Sequence, residues 1–228
     1  MKEILMMKGA KKLVSMCGGV KRGENVSIIT DMVTLNVAKA LAKAAMDKEA
    51  DEVTIFIMEP REAHGAEPPK SIAAAMKNSD IIFIPTLKSI AHSEATQKGK
   101  ENGVRVVTIA EVTDDMLISG GIDANFEEQA VVTKKIANML TEAKKAELFT
   151  KKGTKLFLNL KDRKGRAITG LATQPGGYAS PPNIEASIAP IEEDTNGIIV
   201  IDGSISGIGV VSSPVKITFE KGRAVRIE

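Results

Sequence analysis

Four short apolar runs, each followed by a stretch with helical spacing, constrain this chain more than anything else in it. Residues 26–29 read Val-Ser-Ile-Ile, 53–57 read Val-Thr-Ile-Phe-Ile, 81–84 read Ile-Ile-Phe-Ile, and 104–109 read Val-Arg-Val-Val-Thr-Ile. Runs this short and this rich in β-branched residues read as strands covered on both faces. Between them the spacing is helical. Ile4, Leu5, Leu13, Met16 and Cys17 predict a first helix that stops at Gly18-Gly19, and Leu35, Ala38, Leu41, Ala42 and Ala45 predict a second. Further helices are expected over residues 71–76, over 90–100, after the capping run Thr113-Asp114-Asp115, and over about 126–148, where Val132, Ile136, Met139, Leu140 and Ala143 share a face. Strands alternating with helices imply a parallel sheet joined by right-handed crossovers.

Near Lys151-Lys152-Gly153 the period changes. Leu156, Leu158 and Leu160 alternate with Lys155, Asn159 and Lys161, and Val215, Ile217 and Phe219 alternate with Lys216, Thr218 and Glu220. Asp162-Arg163-Lys164-Gly165 reads as a hairpin turn, and Lys221-Gly222 as a turn into Val225 and Ile227. The expected fold class is α/β: an N-terminal parallel-sheet α/β domain over residues 1–150, followed by a smaller β-rich domain over residues 151–228.

Composition narrows the functions. The net charge of +2 comes from interleaved Lys and Glu, and there is no Trp and one Tyr, so the clustered positive face and aromatic platforms of a nucleic-acid binder are not visible. No stretch approaches the roughly 20 apolar residues of a membrane span. No hydrophobic leader follows Met1-Lys2-Glu3, so a cytoplasmic location is expected. The one cysteine, Cys17, rules out an internal disulfide and reads as a small buried hydrophobe.

His64 and His92 are the only histidines. No His-x-x-x-His, His-Glu-x-x-His or cysteine pair is present, so these residues alone are expected to hold no complete transition-metal site. His64, in the loop Glu62-Ala63-His64-Gly65-Ala66-Glu67, reads as solvated. His92 follows the third strand in Ser89-Ile90-Ala91-His92-Ser93-Glu94, beyond the carboxyl end of the sheet, where ligands bind in open α/β folds. It reads equally as an acid, base or hydrogen-bond donor to a substrate oxygen, or as a helix-start residue with a local bond. Asp31, ending the first strand, reads either as a ligand contact or, in preference, as a helix cap. Gly203 to Gly209 is glycine-rich but opens onto no helical pattern, which argues against phosphate binding. Tyr178, the sole tyrosine, follows the turn Gln174-Pro175-Gly176-Gly177 and could line a cleft beside Glu185. Glu185 sits among small and apolar neighbours from Pro181 to Pro190, which predicts partial desolvation suited to proton transfer, against an ordinary strand glutamate facing water.

Three segments together resemble the aminopeptidase T family of metallopeptidases, whose relatives include the dihydroxypyridine ring-cleaving dioxygenases. They are Gly23-Glu24-Asn25-Val26 through Thr30-Asp31; Ile90-Ala91-His92-Ser93 through Gly103-Val104-Arg105-Val106; and Pro182 to Arg226, with Ile188-Ala189-Pro190, Asn196-Gly197, Asp202-Gly203 and Gly222-Arg223. The resemblance implies that these residues are the N-terminal region of a metal-dependent enzyme, preceding a C-terminal part that supplies the ligands of a divalent metal. This chain has Ile184 where the family usually has Gly before the glutamate, and Ala91 where a bulkier residue often precedes the histidine.

The leading expectation is therefore the N-terminal region, or a shortened relative, of a metal-dependent aminopeptidase-like enzyme. His92 and Glu185 are its expected catalytic residues, and Asp31 and Tyr178 its substrate contacts. No metal is bound by the chain itself; the partners are a small-molecule or peptide substrate and further copies of the chain. The rival is a free-standing, non-catalytic protein that binds a small molecule or forms an oligomer. A metal-independent hydrolase using Glu185 ranks last, for want of a nucleophile–base pair.

Overall fold

The computed structural model describes all of residues 1–228. Its helices are α1 (Lys2–Lys12, running on through a π-helical turn at Leu13–Cys17), α2 (Leu35–Met46), α3 (Lys70–Met76), α4 (Glu94–Glu101), α5 (Asp114–Ile118) and α6 (Phe126–Glu142). The chain divides into two compact units that are not consecutive stretches. One is Met1–Thr133 with Ile168–Glu185; the other is Lys134–Ala167 with Ala186–Glu228. A single boundary between 150 and 151 was expected; instead the chain returns to the first unit at Ile168. There Ala172 and Ala179 are fully buried, and the Ala172 amide donates to the Cys17 carbonyl at 2.6 Å.

The first unit is a parallel sheet of β1 (Asn25–Asp31), β2 (Glu52–Met58), β3 (Ile81–Thr86) and β4 (Arg105–Ala110), with a short fifth strand at Tyr178–Ala179. The spatial order is β2-β1-β3-β4 and then the short strand, all parallel. Successive strand side chains point to opposite faces. Ile28, Ile81, Phe83, Val107 and Ile109 accordingly join one buried cluster with α1, α2 and α5, while Ile29, Ile82, Ile84 and Val106 join another with α3 and α4. Helices on both faces explain why β1, β3 and β4 read as continuous apolar runs, whereas β2, expected to be covered on both faces, lies at the sheet edge with Ile57 50% exposed. Each fully buried Ile or Phe contributes about 1.5–3 kcal/mol.

Several expected boundaries shift for local reasons. The buried stripe of α1 is Met6, Ala10, Leu13, Val14 and Cys17; Ile4 and Leu5 lie in solvent. Burial pushes the Cys17 thiol up to about 12, so it stays protonated at neutral pH. Helix α4 starts at Glu94, not at residue 90, because Ser93 caps it by accepting from the Thr96 amide at 3.2 Å. The helix expected as far as residue 148 ends at Glu142, because the next residues pair as a strand.

That strand, β5 (Lys145–Phe149), belongs to the second unit with β6 (Lys155–Asn159), β7 (Asn196–Ile201), β8 (Val215–Glu220) and β9 (Arg223–Ile227). They form an antiparallel sheet in the order β9-β8-β7-β6-β5. The turn at residues 162–165 does not close a hairpin onto β6, whose two partners are β5 and β7. Gly197 has φ +123°, and a Cβ there would meet the Lys155 carbonyl oxygen at 2.1 Å, so only glycine fits. No helix is long and apolar enough to cross a membrane.

Candidate active site

The order of the first sheet reverses between β1 and β3: from β1 the chain winds outward to β2, from β3 outward to β4. In open α/β sheets the crevice beyond the carboxyl ends of the strands at such a reversal is where ligands bind. Here the two strand ends are tied together by Asp31. Its carboxylate accepts from the amides of Val33 at 3.0 Å and Thr34 at 3.2 Å, from the Thr34 hydroxyl at 3.2 Å, and from the Leu87 amide of the loop after β3 at 2.6 Å. At 1% exposure Asp31 faces the protein's own donors rather than a ligand. Nor does it cap a helix: α2 has Thr34 as its N-cap with no side-chain cap bond, and Asp31 instead closes the turn before the helix and ties it to a second loop. Next to it, Met32 and Val33 protrude as an apolar rim, 65% and 64% exposed.

The loop leaving β3 carries His92. Its imidazole is exposed and free of hydrogen bonds, while Ile90, Ala91 and Ser93 beside it are buried. The backbone around it is held at many points. The Thr86 hydroxyl donates to the Lys88 carbonyl at 2.8 Å, and the Ser89 hydroxyl accepts from the Ala91 amide at 3.2 Å. The Ser93 amide donates to the Ile90 carbonyl at 3.0 Å. These bonds restrain the residues on either side of His92, and a side chain on a restrained frame loses little freedom when a ligand arrives.

His64 departs from the solvated reading. It is exposed, yet its Nδ1 accepts from the Ser89 amide at 3.2 Å, and Gly65 donates its amide to the Ser89 carbonyl at 2.7 Å. With Nδ1 acting as acceptor, a neutral ring carries its proton on Nε2, which lies 3.6 Å from Glu111 Oε1. Lys88 Nζ lies 3.9 Å from the same oxygen. Glu111 follows β4 with φ +54°, a left-handed conformation that costs a non-glycine residue about 1 kcal/mol or more.

Tyr178 and Glu185 lie elsewhere. Tyr178 pairs with Val106, four residues before Ala110 and so about 13 Å short of the carboxyl edge at strand rise. Its hydroxyl is 3.1 Å from that of Thr108, and the Lys100 ammonium stands 5.4 Å from its ring centre. Glu185 is exposed on a three-residue strand, Glu185–Ser187. The desolvation expected from its apolar neighbours is not there: strand alternation turns the glutamate to water while Ile184 packs against the core.

Three residues of this edge escaped the sequence reading: Glu67, Ser89 and Glu111. The Glu67 carboxylate accepts from the amides of Glu94 and Ala95, which are 27 and 28 positions away, so nothing local signals the contact. No three or more His, Cys, Asp or Glu side chains are grouped so as to hold a metal ion. The nearest approach, His64 with Glu111, has the Lys88 ammonium beside it, which repels a cation.

A parallel sheet whose strand order reverses between β1 and β3 defines the general class, an open α/β fold. Residues 6–228 match the family model for 2,5-dihydroxypyridine 5,6-dioxygenase (NicX), and the chain belongs to that family. Two solved structures share its fold. The 2,5-dihydroxypyridine dioxygenase from Pseudomonas putida KT2440 superposes with a TM-score of 0.83 at 15% identity, over 99% of this chain and 68% of that one. AmpT from Thermus thermophilus superposes with a TM-score of 0.66 at 14% identity, over 100% of this chain and 72% of that one. No curated protein sequence matches.

Proposed function

We propose that residues 1–228 form the substrate-side part of a dioxygenase-type enzyme acting on a small hydroxylated nitrogen heteroaromatic, with 2,5-dihydroxypyridine as the type substrate. The observation that carries this reading is the family match, which extends over residues 6–228. It favours ring cleavage over peptide hydrolysis, because the likeness to AmpT, at 14% identity, speaks to the fold alone.

The site chemistry supports it. The apolar rim at Met32 and Val33 suits a flat ring, and His92 offers an unengaged imidazole to a ring hydroxyl. There His92 orients the substrate and takes or returns the hydroxyl proton, the role for which a histidine is suited near neutral pH. The divalent metal implied by the resemblance does not fit the side chains present, since no set of three donors converges. In this reading its ligands lie outside residues 1–228. Glu185 remains a proposed second proton-transfer group, but one working from water rather than from a desolvated pocket.

Calorimetric titration of 2,5-dihydroxypyridine into the protein tests the proposal. Saturable binding is expected, weakened roughly tenfold by His92→Ala, as for loss of one hydrogen bond to a ligand. Binding that is unchanged in the variant, or equal binding of a dipeptide amide, would remove the ground for the proposal.

A further inference from the structure

We propose that Glu67 is a positioning residue for His92, acting through a strap formed by the loop over residues 59–69. The proposal rests on the reading of His92 as the substrate-facing group. Helix α4 begins two residues after His92, and its first amides need partners. Ser93 serves Thr96 through its hydroxyl and Gln97 through its carbonyl. The amides of Glu94 and Ala95 are served by neither; they donate to the two oxygens of Glu67, at 2.5 and 3.2 Å.

A carboxylate at this place also complements the positive end of the helix. The strap is fixed at a second point by the paired bonds of His64 and Gly65 with Ser89. Gly65 has φ +87°, a conformation that turns the strap and that side-chain-bearing residues rarely adopt. His92 therefore sits between two anchors three residues before it and two and three residues after it. Both anchors come from one exposed loop. Removing the Glu67 anchor frees the first turn of α4 and lets the exposed imidazole sample directions that buried Ile90 and Ala91 alone do not forbid.

The test compares wild type, Glu67→Gln, His92→Ala and the double variant. A glutamine replaces one of the two carboxylate oxygens by an NH2 donor, so the arrangement in which each oxygen serves one amide is lost. In Glu67→Gln, amide exchange at Glu94 and Ala95 is expected to accelerate roughly tenfold or more. The ring signals of His92, one of only two histidines, are expected to shift or broaden while the midpoint of unfolding barely moves. Affinity for 2,5-dihydroxypyridine is expected to fall in Glu67→Gln but to fall no further when Glu67→Gln is added to His92→Ala, because the effect passes through the imidazole. Unchanged exchange and unchanged His92 signals in Glu67→Gln overturn the inference, as does an equal loss of affinity in both backgrounds. If the wild type does not bind 2,5-dihydroxypyridine, the reading of the substrate fails, while exchange and ring signals still decide the positioning role.

Discussion

Asp31→Ala is expected to lower the unfolding free energy of the protein by about 3–5 kcal/mol, the range for breaking a buried charged hydrogen-bond set. The carboxylate is 1% exposed and serves three backbone amides and a hydroxyl. Alanine leaves the amides of Val33 and Leu87 without that acceptor; the Thr34 amide keeps the Asp31 carbonyl at 3.2 Å, and the Thr34 hydroxyl keeps the Pro85 carbonyl at 2.7 Å. Each buried donor left unpaired costs about 1–3 kcal/mol, and the costs do not add in full. Water reaching the exposed tip at Met32 and Val33 moderates the loss on that side, whereas the bond to Leu87 crosses between two loops. Asp31→Asn keeps one acceptor oxygen and is expected to lose less, about 1–2 kcal/mol. Urea unfolding of the three proteins is the measurement. A change within about 0.5 kcal/mol for Asp31→Ala would return the residue to the role of a mere ligand contact.

The second large effect is expected at the other end of the sheet. Arg105 is 6% exposed, and its Nη1 donates to the carbonyls of Gly18 and Gly19, both at 2.8 Å. Its Nη2 meets the Glu24 carboxylate at 2.6 Å. The planar fork thus fastens the end of the first helical segment to β4 and to the residue just before β1, a task a single ammonium cannot reproduce. Arg105→Ala removes the donor of two carbonyls and the charge partner of Glu24, which keeps the Lys21 amide at 2.8 Å, and is expected to cost about 3 kcal/mol; Arg105→Lys is expected to retain part of this. A paired Arg105→Met, Glu24→Met replacement is expected to recover much of the loss, because removing both charges also removes their desolvation cost. Failure of the pair to recover more stability than Arg105→Ala would show that the fork holds the helix end by geometry rather than through its charge.

The buried strands were legible because helices cover both faces, so burial writes itself into the sequence as unbroken β-branched runs such as residues 81–84. The interleaving of the units was not. The return of Ile168–Glu185 to the first unit rests on small residues such as Ala172 and Ala179, whose burial is set by distant neighbours and leaves no period. Leu148 continued the helical spacing of α6, yet pairing of β5 with β6 claimed it, a case of tertiary context overriding a local pattern. The position of His92 was legible because the loop that follows a buried strand lies at the carboxyl edge of the sheet, and the residue is exposed there. The exposure of Glu185 was not legible, because composition cannot tell which side of a strand a glutamate faces. The frame around His92 was invisible for a simpler reason: Asp31 reaches Leu87 across 56 positions, and Glu67 reaches Glu94 across 27.

The central proposal is that residues 1–228 frame a substrate but do not by themselves ligate the divalent metal that the sequence resemblance implies. Elemental analysis of the purified 228-residue protein, after incubation with Fe(II), Mn(II) or Zn(II) and gel filtration, addresses it most directly. The account predicts metal far below one equivalent per chain. One equivalent retained through the column, and released by substituting His64 or Glu111, would contradict it.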